Sequence, residues 1–104
     1  MLLSSALIGA ALLTLQPDPV RAPREAFGRC LHRVVDAAIQ ARKATDAFTT
    51  ELAAACTAEE RAYREAIIRS EMAARASRAD AEEAARLEVD DARRNSRDNF
   101  IPPN

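Results

Sequence analysis

The stretch from Cys30 to Cys56 reads CLHRVVDAAIQARKATDAFTTELAAAC, contains the only two cysteines of the chain at its ends, and decides the fold. As one straight helix it would hold the cysteines about 39 Å apart, at about 1.5 Å of rise per residue. A disulfide needs Cα atoms within about 7 Å of each other. Pairing of the cysteines therefore predicts that the helix folds back between them, with a turn near Lys43.

The apolar residues test this arrangement independently. An antiparallel hairpin that sets Cys30 opposite Cys56 also sets Ala38 opposite Phe48. Both arms then show apolar stripes with the three-to-four spacing of an amphipathic helix. The stripes are Phe27, Cys30, Leu31, Val34, Val35, Ala38 and Ile39 on the first arm, and Phe48, Leu52, Cys56, Tyr63 and Ile67 on the second. Because stripes and cysteines come into register together, an intramolecular disulfide is favoured; a straight helix with an intermolecular disulfide is the alternative.

The composition predicts an all-α fold. No proline occurs between Pro23 and Pro102, and alanine, arginine and glutamate, which favour helices, dominate that span. We expect an antiparallel helical hairpin of coiled-coil type with a long second helix. A capping-box pattern at Ser77 favours a break of that helix near residues 76–78, followed by a third helix. The predicted helical domain covers residues 24–95, and residues 96–104 are predicted to be a frayed tail.

The N-terminal segment MLLSSALIGAALLTL, residues 1–15, carries no charged side chain. As a helix it would span about 22 Å, less than the roughly 30 Å of a bilayer core, so it is more typical of a signal peptide than of a transmembrane helix. Residues 16–23 would form a proline-rich linker. These features predict a periplasmic or secreted protein, with an uncleaved membrane anchor as the alternative.

No motif indicates catalysis or a cofactor. Cys30 and His32 would point about 200° apart on a helix, and a zinc site at the two cysteines would need two further ligands that the sequence does not supply. Acidic residues precede arginines by four positions at several places, which is the pattern of a solvated helix surface. The net charge of −1 gives no indication of nucleic-acid binding. We therefore expect no enzymatic activity, no cofactor and no metal.

The motif Phe27-x-x-Cys30-Leu31, with Ala55-Cys56 after a helical turn, resembles small exported bacterial disulfide-clamped helical-hairpin proteins of unknown function. The resemblance covers about forty residues. It implies export and a clamped hairpin, and it carries no activity with it.

These observations predict a structural or interaction module of the bacterial envelope. In the hairpin register the first arm ends opposite Tyr63, which leaves an apolar candidate partner surface on the second arm: Tyr63, Ile67, Ile68 and Met72. The expected partner is a second copy of the chain or an envelope protein, and contact with a membrane is expected only if residues 1–15 stay attached. The alternative is a membrane-anchored helical protein that assembles through its long second helix.

Overall fold

The computed structural model describes residues 17–104, and these residues form four α-helices and no strand. The helices are α1 (Arg21–Gln40), α2 (Thr45–Ala54), α3 (Thr57–Ala73) and α4 (Arg78–Asp98). The predicted all-α class is confirmed. The simple hairpin is wrong, because its expected long second helix is divided into α2 and α3. The predicted signal-peptide segment, residues 1–15, lies outside the described residues.

Helix α1 begins earlier than the sequence predicted. The Asp18 carboxylate accepts a hydrogen bond from the backbone N–H of Val20 at 2.9 Å and thereby turns the chain into the helix. Pro23 occupies the third helical position, where a missing N–H costs no intrahelical hydrogen bond. Val20 is buried in the core. The predicted linker of residues 16–23 is therefore wrong in its second half, which belongs to the helical domain.

The turn between α1 and α2 lies where the sequence predicted it, near Lys43. The backbone N–H of Lys43 donates to the Ala38 carbonyl at 3.0 Å, and that of Arg42 donates to the Ile39 carbonyl at 3.1 Å. These two bonds form a Schellman motif, which requires a left-handed residue after the helix. Arg42 takes that conformation, with φ of 54°, so the turn closes without glycine.

The break between α3 and α4 is confirmed. The same C-terminal motif recurs there, with Arg75 at φ of 72° and the Ala76 N–H donating to the Glu71 carbonyl at 3.0 Å. The Ser77 hydroxyl then accepts a hydrogen bond from the Asp80 N–H at 3.1 Å and caps the start of α4.

Helix α4 packs against α3 and α1 and completes the core. It buries the small side chains Ala81, Ala85 and Val89, while α3 buries Tyr63, Ala66 and Ile67. Small side chains at a contact allow two helix axes to approach closely. An alanine-lined face is therefore sufficient to cover the apolar side of α3.

The first part of the predicted C-terminal tail, residues 96–100, is docked rather than frayed. Helix α4 continues to Asp98, and the ring of Phe100 stacks on that of Phe48 with centroids 4.0 Å apart. Phe100 is only 8% exposed. The predicted frayed tail of residues 96–104 is therefore wrong for residues 96–100, because this stacking contact fixes the end of α4 against α2, whereas residues 101–104 are exposed and lie outside any helix.

Candidate functional site

The disulfide between Cys30 and Cys56 joins the middle of α1 to the junction between α2 and α3, with Cα atoms 6.0 Å apart. Both residues are half-buried. Cross-linking residues that are 26 positions apart contributes about 3.5 kcal/mol in the chain-entropy account. The structure confirms the intramolecular disulfide that the sequence favoured.

The junction between α2 and α3 is formed by two non-helical residues. Ala55 is extended, with ψ of 155°, and Cys56 takes the left-handed conformation, with φ of 63° and ψ of 36°. That conformation costs a non-glycine residue roughly 1–2 kcal/mol. The Cys56 carbonyl accepts the first hydrogen bond of α3, from the Glu60 N–H at 2.9 Å. We term Ala55 and Cys56, with the disulfide, the clamp junction.

Arg93 of α4 holds the clamp junction from the opposite side. Its guanidinium donates to the Leu52 carbonyl at 2.7 Å and to the Ala55 carbonyl at 2.9 Å. Carbonyls in the last turn of a helix lack the usual donor four residues later and carry the negative end of the helix dipole. Arg93 thus caps α2, and with its side chain only 16% exposed it does so largely shielded from water.

The same guanidinium also binds the first turn of α3. Its Nε and Nη2 atoms both donate to Glu60 Oε1, at 3.2 and 3.1 Å. Its carbon lies 5.2 Å from the centroid of the Phe27 ring, which in turn contacts the Tyr63 ring at 5.8 Å. A cation over an aromatic face is attractive. One arginine therefore connects all four helices at the clamp junction.

The candidate partner surface is only partly exposed. Tyr63 and Ile67 are 2% and 5% exposed, so they belong to the core and do not form the surface that the sequence predicted. The physical reason is the docking of α4, together with Val20, over that face of α3. Ile68 is half-buried and Met72 is 42% exposed. We term these two residues, which are four positions apart on α3, the residual apolar strip.

The Tyr63 hydroxyl lies in a polar cleft of about 220 Å³ beside the start of α1. It donates to Glu88 Oε2 at 3.3 Å. Its proximity to Arg24 holds the pKa of that guanidinium above the ordinary value, so Arg24 stays charged throughout the accessible pH range. Tyr63 therefore combines a buried ring with a polar tip that is satisfied within the chain.

A cleft of about 310 Å³ lies between α2 and α4. Its charged lining consists of Asp90, Arg93, Arg94 and Arg97. The cleft borders the C-terminal ends of two helices, where cations are favoured by the helix dipoles and added anions are not. The arginines are thus explained by helix stabilisation, and this cleft carries no indication of a ligand.

Within residues 17–104, one group of side chains has the composition of a metal site: Cys30, Cys56 and Glu59. In the oxidised protein the two sulfurs are bonded to each other. The sequence predicted no further ligand for the two cysteines, whereas the fold brings the Glu59 carboxylate to them.

Sequence reasoning also missed Arg93. It lies 33 to 41 residues from its hydrogen-bond partners, so no local pattern identifies it among the many arginines of the chain. Glu60 also lies four residues before Arg64, the spacing of a helix-surface pair, and that contact is present at 3.5 Å alongside the contact with Arg93.

No protein-family model matches this chain, and neither the curated proteins nor the solved structures provide a significant match. Among the four helices of residues 17–104, none combines the length and the apolar character needed to cross a membrane. The chain is thus a small helical protein with one disulfide, and the geometry of its own residues is the basis for any functional proposal.

Proposed function

We propose that this protein is an exported, disulfide-clamped helical module of the bacterial envelope that acts through structural or binding contacts rather than catalysis. The observation that carries the proposal is the disulfide between Cys30 and Cys56. Structural disulfides persist in oxidising compartments and are rare in the bacterial cytoplasm. The uncharged apolar segment of residues 1–15 is typical of a secretory signal, and it supports the same compartment.

The energetics of a small domain support a structural role for the clamp. A chain of this size buries a modest core, and a disulfide is a common way to stabilise such domains. The polar contacts around the clamp junction are also structural, since Arg93 is engaged with two carbonyls and Glu60. The strongest polar contacts among the described residues thus hold the helices in a rigid arrangement. A rigid arrangement suits a module that presents a fixed surface to a partner.

The residual apolar strip is the contact surface that we propose for this module. Ile68 and Met72 lie on one face of α3, and charged side chains border a cleft of about 250 Å³ beside Ile68. These charged residues are Glu65, Arg69 and Arg78. An apolar centre with a polar rim is the usual anatomy of a protein–protein contact. The occupant that we propose is a second copy of the chain, which would bring two such strips together across a two-fold axis.

Self-association is tested by light scattering over a range of concentrations. We expect the wild type to form a dimer and the variant Ile68→Glu with Met72→Glu to stay monomeric with an unchanged helical content. Leu87→Glu is the matched control, because Leu87 is an exposed apolar residue, 55% accessible, on the outer side of α4. A wild type that remains monomeric at every concentration rules out the second copy, and an envelope protein then becomes the candidate partner.

The compartment is tested by the N-terminus of the protein purified from its native envelope. A mature start between residues 16 and 18, in the soluble fraction, agrees with an exported protein that keeps Asp18 and the buried Val20. Retention of Met1 in a membrane fraction would instead support the anchored alternative. Recovery of full-length protein in the cytoplasm with free thiols would contradict both.

A further inference from the structure

The clamp junction brings a carboxylate beside the two cysteines. Cys56 is the residue that precedes α3, and Glu59 lies three residues later in the first turn of that helix. This spacing sets the two side chains on the same side of the helix start. The Sγ atoms of Cys30 and Cys56 and one carboxylate oxygen of Glu59 all lie within 4.8 Å of one another. All three residues are half-buried, so solvent reaches the group from one side.

This geometry is close to that of a zinc site. Zinc binds thiolate sulfur at about 2.3 Å and carboxylate oxygen at about 2.0–2.2 Å in a tetrahedral arrangement, which sets ligand atoms roughly 3.5–3.8 Å apart. Side-chain rotations alone can bring the three donor atoms to such distances, because the Cα atoms of the cysteines are already 6.0 Å apart. Two thiolates and one carboxylate suit a divalent cation, and water from the open side supplies the fourth ligand.

We propose that the reduced form of this protein binds one zinc ion through Cys30, Cys56 and Glu59, so that the clamp junction is closed either by a disulfide or by a metal. Reduction of the disulfide takes up two electrons from a thiol or a phosphine, with two protons from the thiol or, for the phosphine, from water, and yields two thiols. Zinc binding then releases both thiol protons and forms two zinc–sulfur bonds. The two closures exclude each other, because each uses both sulfur atoms.

The position of Cys56 favours the metal form. A thiolate at a helix N-terminus is stabilised by the helix dipole, and α3 starts directly after Cys56. The metal also replaces the covalent link between α1 and the α2–α3 junction, so a reduced chain retains a cross-link at the same place. A reduced chain that meets zinc before an oxidant is therefore held in its folded arrangement, and its thiols are withheld from oxidation while they bind the metal.

Cobalt titration tests the site, because thiolate ligation of Co²⁺ gives a charge-transfer absorption in the near ultraviolet. The purified chain is reduced with a phosphine and titrated with Co²⁺, then with Zn²⁺ in competition. We expect one metal per monomer and no such absorption in the oxidised protein. Cys30→Ser should remove the absorption, and native mass spectrometry should show a monomer with one metal.

Glu59→Gln is the decisive variant, and Glu71→Gln, an exposed acid near the other end of α3, is its matched control. Loss of a direct ligand should weaken Zn²⁺ binding at least as much as loss of an outer-shell partner does, which is about 10–100-fold. Equal affinities of the two variants, a metal bridging two chains, or no thiolate absorption in the reduced wild type would each overturn the proposal. Helical content is followed by circular dichroism during the titration, in case reduction loosens the fold. Metal binding should then restore the helical content of the wild type far more effectively than that of the Glu59→Gln variant.

Discussion

Arg93→Met removes the guanidinium that connects the four helices while it keeps most of the apolar stem. The substitution leaves the Leu52 and Ala55 carbonyls and the Glu60 carboxylate without their shared donor. A hydrogen bond from a charged group is worth about 1.5–3 kcal/mol, and the cation–π contact with Phe27 adds about 0.5–1 kcal/mol. Water can replace part of these contacts, since the Arg93 side chain is 16% exposed. We therefore expect a loss of about 3 kcal/mol in the free energy of unfolding.

The assay is thermal and urea denaturation of the oxidised protein, followed by circular dichroism. In a domain of this size a loss of about 3 kcal/mol lowers the melting temperature by about 12–24 °C. The matched control is Arg94→Met, because among residues 17–104 Arg94 makes an exposed pair with Asp91 at 3.5 Å and no other ion pair, so its loss should cost at most about 0.5 kcal/mol. Arg93→Lys should fall between the two, since an ammonium lacks the planar fork that reaches both carbonyls and Glu60. Equal melting temperatures for the Arg93→Met and Arg94→Met variants would refute the role assigned to Arg93.

Three further predictions concern the helix ends and the surface. Arg75→Gly should stabilise the protein by about 0.5–1 kcal/mol, because glycine adopts the left-handed conformation of Arg75 without strain; a lower melting temperature would contradict this. Phe100→Ala should cost about 2–3 kcal/mol through loss of its stacking on Phe48, and an unchanged urea midpoint would mean that the tail is not docked. The Arg86 guanidinium holds the pKa of Glu83 below its usual range, so the stabilisation from this pair is present above the usual carboxyl pKa and is lost as pH falls through the lowered one. Glu83→Gln should therefore reduce the melting temperature slightly at neutral pH and not at strongly acidic pH; a difference that grows on acidification would have the wrong sign.

The pairing of helices around the cysteines could be predicted because local and non-local signals agreed. The stripe residues Ala38, Phe48 and Leu52 are buried as the hairpin register required. Few hairpin registers both bring the two cysteines together and bury the apolar stripes. Composition and spacing were therefore sufficient to predict the position of the α1–α2 turn.

The break at the clamp junction could not be predicted in the same way. The sequence TAEE at residues 57–60 has the pattern of a helix start, but the apolar periodicity continues through it and no glycine or proline marks a stop. The chain instead breaks the helix with a left-handed cysteine, whose conformational cost is offset by the disulfide and by the contacts of Arg93. Such compensation depends on residues far apart in sequence.

The burial of Tyr63 and Ile67 was missed for a related reason. The alanines of α4 are small and offer little apolar area by themselves, but they let α4 approach α3 closely. The docking of Phe100 likewise depends on a ring more than fifty positions away, and no local pattern in a polar tail indicates it.

The measurement that tests the account most directly is the intact mass of the purified protein under non-reducing conditions, combined with thiol labelling. The clamp between Cys30 and Cys56 predicts a monomer two hydrogens lighter than the reduced chain, with no labelled thiol before reduction and both cysteines labelled after it. A disulfide-linked dimer, or a monomer with two free thiols in material from an oxidising compartment, would contradict the clamp and with it the arrangement of the four helices.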